Sequence, residues 1–141
     1  MHRISGLLAL LGLMLVAPAA QAQGFTTAAE VKPILQATRA NWIAVREYGG
    51  DDLLYFTNAL AWRCGLVALR YGLNGAAATT DLPMEPCHDT EAAPNALKLD
   101  SGAPIYLTLP LGSVTSVTVL LVFDDGSEES ASFARAAVLT P

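Results

Sequence analysis

The chain has 141 residues, 8 Lys+Arg against 13 Asp+Glu, a formal net charge of -5, and a 52% hydrophobic composition with mean hydropathy +0.40. That length holds one hydrophobic core and leaves no room for two. The acidic balance argues against nucleic acid or an anionic membrane surface as a partner, because neither phosphates nor acidic lipids attract a net anion.

Part of the hydropathy belongs to residues 1–22, which have the layout of a secretory signal peptide. His2 and Arg3 precede an apolar run from Ile4 to Ala17; Pro18 breaks it, and Ala20-Gln21-Ala22 places small residues at the first and third positions of a cleavage site. A helix needs about 20 apolar residues to cross a bilayer and this run has about 14, so it reads as a cleaved leader, with no membrane insertion after its removal. Cleavage after Ala22 leaves residues 23–141 as a single secreted β-rich domain, more acidic than the whole chain because Arg3 is lost and no acid is. The two cysteines, Cys64 and Cys87, are then exported together, and an even pair in an oxidising compartment is read first as a structural disulfide, with free thiols or metal ligation as alternatives. It would close a loop of about 24 residues, for which loop-closure entropy gives about 3 kcal/mol.

In chain order, Thr27-Ala28-Ala29-Glu30 matches a capping box. Val31, Ile34, Leu35 and Thr38 then recur at helical spacing, so a short amphipathic helix is expected over 28–40, with Pro33 as an irregularity beyond its first turn. From Trp42 the pattern becomes strand: Trp42–Tyr48, a turn at Gly49-Gly50-Asp51-Asp52, and a returning strand Leu53–Thr57. A third strand from Trp62 to Tyr71 ends at Asn74-Gly75; a helix over Asn58–Leu69 competes with it. Residues 74–104 carry repeated Gly and Pro and read as a long loop, which the disulfide would pin to the third strand. Ile105–Leu109 and Val114–Phe123 are strands; Asp124-Asp125-Gly126 is a hairpin turn and Ser127–Phe133 the return. Ala136–Leu139 adds an edge strand. The expected fold is mostly β (α+β): an antiparallel β-sandwich or small barrel of about six strands with one N-terminal helix and one disulfide.

Chemistry-bearing residues are sparse. Beyond the leader the one histidine is His88, and no HExxH, GxSxG, GxGxxG or phosphate-cradling loop is present. A small hydrolase would have to pair His88 with Ser101 or Ser113. The stretch from Met84 to Glu91 is richest in ligand atoms, and a metal-binding reading would use His88 with Asp89, Glu91 or Met84; against it, Cys87 is already assigned to Cys64. Asp124, Asp125, Glu128 and Glu129 lack calcium-loop spacing and read as a solvated hairpin tip. Arg46, Arg63 and Arg70, among Trp62, Tyr71 and other aromatics, would form an interface if strand alternation brought them to one face; Arg63, Arg70, Trp62 and Tyr71 are the candidates.

The phrases Ala40-Asn41-Trp42-Ile43-Ala44-Val45-Arg46-Glu47-Tyr48, Leu53-Leu54-Tyr55-Phe56-Thr57, Trp62-Arg63-Cys64-Gly65-Leu66, Arg70-Tyr71-Gly72-Leu73-Asn74-Gly75 and Glu85-Pro86-Cys87 resemble a group of small exported alphaproteobacterial proteins with no assigned activity. The resemblance covers most of the chain beyond the leader and implies a periplasmic setting with two retained cysteines. The expectation is a non-catalytic periplasmic domain that needs no cofactor and binds another envelope protein or a small ligand.

Overall fold

The computed structural model describes residues 14–17 and 24–141. Of the expected leader only Met14–Ala17 fall among these, so the leader and its cleavage site lie outside the described residues.

Two four-stranded sheets pack face to face. The first has the order β5-β2-β1-β8, from Tyr106–Pro110, Asp51–Tyr55, Ala44–Tyr48 and Leu139–Thr140; the second, β4-β3-β6-β7, comes from Thr80–Asp81, Leu66–Leu73, Ser116–Phe123 and Glu128–Ala134. The layers follow from alternation. Along β6, Val117, Val119, Leu121 and Phe123 are buried while the residues between them are half-exposed, so one face joins the core. Val45 and Leu54 of the first sheet, with Trp42 and Phe56 beside its strands, belong to the same core.

Helix α1 (Ala28–Ala37) closes one side of this core with Ala28, Val31 and Leu35. The capping box forms as the sequence requires: Glu30 N–H reaches the Thr27 hydroxyl at 3.4 Å, and the Thr27 N–H reaches the Glu30 carboxylate at 3.1 Å. The helix is shorter than the expected 28–40, because the Thr38 hydroxyl and N–H both bond back to the Ile34 carbonyl and a 3-10 turn follows over Arg39–Asn41. Pro33 sits inside it without ending it.

The hairpin tip is exposed, as expected, and it also clasps this helix. Asp124 Oδ1 accepts the Ala28 N–H at 2.8 Å, Lys32 pairs with Asp125 at 3.0 Å, and Gln36 and Arg39 both reach Glu129. Asp124 thus satisfies one of the orphan donors at the helix N-terminus with the charge that end favours.

Other expectations are corrected in their boundaries. The first strand begins at Ala44, since Trp42 is drawn into the core, where its indole N–H donates to the Leu35 carbonyl at 2.8 Å. The β1–β2 turn is only Gly49-Gly50, both at positive φ (62° and 84°), as a two-residue hairpin demands. The segment assigned between strand and helix divides: one helical turn, α2 (Thr57–Leu60), a 3-10 turn over Arg63–Gly65, then β3. The C-terminal apolar piece is a helical turn, α3 (Arg135–Val138), before β8, which pairs in parallel with β1. Eight strands therefore replace about six, two of them only two residues long. The segment from 82 to 105 is irregular, as its Gly and Pro content demands.

Candidate functional site

The irregular segment is organised around one side chain. Arg63 sits in the 3-10 turn just ahead of β3 and is 2% exposed. A buried guanidinium needs acceptors for its five N–H groups. Its Nε donates to the Glu85 carbonyl at 2.7 Å; Nη1 to the carbonyls of Asn95 (2.6 Å) and Leu60 (3.4 Å); Nη2 to the carbonyls of Pro86 (2.9 Å) and Ala96 (3.1 Å) and to the Glu85 carboxylate (2.9 Å). Apart from Leu60 in α2, these acceptors come from two stretches of the loop, 85–86 and 95–96, which Arg63 draws together.

Glu85, 5% exposed, completes the pair and also accepts the Lys98 N–H at 2.9 Å. Burial pushes its carboxyl up, but the Lys98 N–H, the Ser101 hydroxyl, the neighbouring His88 and the Arg63 charge together hold it below the usual carboxylate range. The Cys64–Cys87 disulfide joins the 3-10 turn that carries Arg63 to the residue after the first of these stretches, with 4.9 Å between Cα atoms. It therefore pins the loop to the 3-10 turn, one element earlier than the third strand. Asn95 adds a second tie: its Oδ1 accepts the Cys64 N–H and its Nδ2 donates to the Phe25 carbonyl, each at 2.8 Å.

This platform carries an apolar hollow of about 340 Å³ between Phe25, Ala61 and Trp62 on one side and Ala92, Ala93 and Pro94 on the other. The Phe25 and Trp62 rings meet edge to face, centroids 5.2 Å apart at 77°. Phe25 has φ 53°, a left-handed conformation that bulky residues rarely adopt and that is held here by the Asn95 bond and the Trp62 contact. A second, more polar hollow of about 590 Å³ shares Gly24, Ala92 and Pro94 with the first and adds Glu30, Asp89 and Glu91.

The sequence-derived candidates divide on this map. Cys64 and Cys87 are bonded to each other. Trp62 walls the apolar hollow; Asp89 and Glu91 line the polar one, where Glu91 pairs with Lys98 at 2.7 Å. His88 Nε2 lies 3.3 Å from Glu85 Oε2 without the alignment of a hydrogen bond. Among the described residues no three His, Cys, Asp or Glu side chains gather as a metal-holding group. Met84 packs against the core. The Ser101 hydroxyl accepts the Ala103 N–H at 3.2 Å and helps to hold the Glu85 carboxyl low, and no hydrogen bond joins it to His88 among the described residues. Ser113 is far along the chain in the β5–β6 connection, where its carbonyl accepts from Asn74.

The expected Arg/aromatic face is not assembled. Arg63 points inward, Arg70 on the second sheet pairs with Asp81 at 2.8 Å, and Arg46 lies on the first sheet over the Tyr48 ring. Tyr71 is half-buried, its ring 5.5 Å from that of Phe56. Alternation could not foretell this, because Arg63 is in a turn and the two strands belong to different sheets.

A second buried ion pair was missed. Asp52, fully buried on β2, receives both Arg135 terminal nitrogens (2.5 and 2.9 Å) and the Val114 N–H (3.1 Å), while Arg135 also reaches Glu47 at 2.7 Å. The Arg135 bonds hold the Asp52 carboxyl far below its ordinary range even though burial opposes ionisation. The cluster fastens α3 to the first sheet. Asp52 reads as part of the Gly49-Gly50-Asp51-Asp52 turn, and a turn position gives no sign of a buried partner.

No protein-family model matches the chain, and neither a curated protein nor a solved structure matches it.

Proposed function

We propose that the chain is an exported, non-catalytic binding module whose ligand surface is the Phe25/Trp62 hollow. The observation that carries this reading is the combination of an apolar, aromatic-walled depression with a support that does not yield: a disulfide, a guanidinium with all its donors engaged and an asparagine tie lie directly behind it. Pre-organisation of this kind lowers the ordering cost of binding, which otherwise consumes much of the gain from burying a small apolar surface. The charged groups best placed for chemistry, Arg63, Glu85 and Asp52, are consumed in holding the fold. Export is supported by the leader-like residues 1–22 and by the disulfide, which persists in oxidising compartments. The periplasm is the compartment proposed, with an envelope protein as partner.

The test is expression of the full chain in a Gram-negative host with a photo-crosslinking amino acid at Ala93, and separately at the exposed Val67 on β3. The expected result is a periplasmic product lacking residues 1–22, crosslinked to a partner from position 93 and not from 67. Equal crosslinking from both positions, or none from 93, removes the hollow as a binding surface; retention of the leader removes the export reading.

A further inference from the structure

Resting on that reading, we infer that the ligand is an extended polypeptide segment carrying a Lys or Arg next to a bulky apolar residue, the apolar side chain seated between Phe25 and Trp62 and the cation in the adjoining trough of Glu30, Asp89 and Glu91. The two hollows share Gly24, Ala92 and Pro94 in their walls, so they adjoin and a single short segment can reach both. Both are open depressions, suited to a strand of chain laid across them more than to a small molecule that a pocket must enclose.

The side-chain charges favour a cation, three carboxylates outnumbering Lys98 and the α-ammonium that cleavage would leave at Gln23. No basic residue lines either hollow, and three carboxylates line the second. Lys98 offsets only Glu91. Glu30 is kept ionised by the Thr26 N–H, the Thr27 hydroxyl and the Thr27 N–H, and Asp89 has no hydrogen bond or ion pair among the described residues. The N-terminal end of α1 would by itself favour an anion, but the Ala28 and Glu30 N–H groups, two of its first three, are already met by Asp124 and Thr27. Most of the affinity then comes from apolar burial against the Phe25–Trp62 pair, and the carboxylates supply preference: an exposed pair of this kind is worth about 2- to 5-fold in affinity.

The experiment titrates the oxidised protein, purified from the periplasm, with the peptides Gly-Phe-Lys-Gly, Gly-Phe-Glu-Gly and Gly-Ala-Lys-Gly, following the Trp62 indole and the Ala92, Ala93 and Ala96 amides by NMR. The expected result is shifts at these positions with the Phe-Lys peptide, binding of Phe-Glu weaker by at least about 2-fold, and no saturable shift with Ala-Lys. The Asp89→Lys variant, a surface change, should erase the Phe-Lys preference while Phe-Glu binding survives or strengthens. Equal affinity for Phe-Lys and Phe-Glu overturns the cationic inference and leaves the hollow as a binding site. No saturable shift at these positions with any peptide overturns both.

Discussion

Arg63→Ala is expected to be among the most damaging single substitutions in the chain. Removing one member of a buried, hydrogen-bonded ion pair costs about 3–5 kcal/mol, because the partner is left charged and uncompensated. Here the partner is Glu85, 5% exposed, and carbonyls of Leu60, Glu85, Pro86, Asn95 and Ala96 lose their donor with it. Against a total stability of about 5–15 kcal/mol for a domain, that is a large fraction. At about 4 °C per kcal/mol for a chain of this size, the midpoint should fall by about 12–20 °C. Arg63→Lys should recover little, since an ammonium offers three donors from one point and cannot span both loop stretches. The double variant Arg63→Met, Glu85→Leu removes both charges and should recover part of the loss, but not all, because the carbonyls remain unpaired. The internal control is Arg70→Ala, whose pair with Asp81 is exposed and should change stability by about 1 kcal/mol or less. Thermal and urea unfolding of the oxidised proteins, followed by circular dichroism, compares them. If Arg63→Ala loses no more than Arg70→Ala, the loop is not held by this side chain and the rigid support assigned to the hollow is gone.

Two further perturbations test the scaffold elsewhere. Asp52 has its folded pKa depressed by Arg135, so its contribution is fully present above the unfolded value of about 3.9 and is lost as pH falls toward the folded value; Asp52→Asn should flatten the acid limb of the stability curve below about pH 4, and an unchanged limb would contradict the assignment. Gly65→Ala places a Cβ 2.3 Å from Val31 Cγ2 and 2.8 Å from the Thr27 carbonyl oxygen, and Thr27 cannot move without loosening the first turn of α1, whose Val31 N–H it accepts. A loss of about 1–3 kcal/mol in urea unfolding is expected, as for other overpacked sites, and a loss below about 0.5 kcal/mol would show that the helix yields freely.

Local signals carried far in this chain. Thr27 and Glu30 sit three residues apart at the start of an apolar stripe, and the helix begins there because the cap is satisfied by neighbours alone. The Gly49-Gly50 and Asp124-Asp125-Gly126 turns are set by residues that accept positive φ, and the long alternating run ending at Phe123 makes a strand with one buried face wherever it is placed. Two cysteines read as a pair wherever the compartment is oxidising, and Cys64 and Cys87 are bonded to each other.

What remained hidden were the effects that join residues distant in sequence. Nothing near Arg63 shows that it turns inward, since four of its six acceptors are backbone carbonyls from residues more than twenty positions away, and a carbonyl has no sequence signature. Asp52 is separated from Arg135 by 83 positions, and the acids of the Asp124 hairpin meet α1 across more than 90. Each reads locally as a solvated charge. Composition and spacing thus determined the class of the fold, the disulfide and the elements with local caps and turns; the sheet order, the inward Arg63 and the hollow between Phe25 and Trp62 were decided only when the two sheets closed, because burial is a property of the packed chain and turns an ordinary surface residue into the one that must be satisfied.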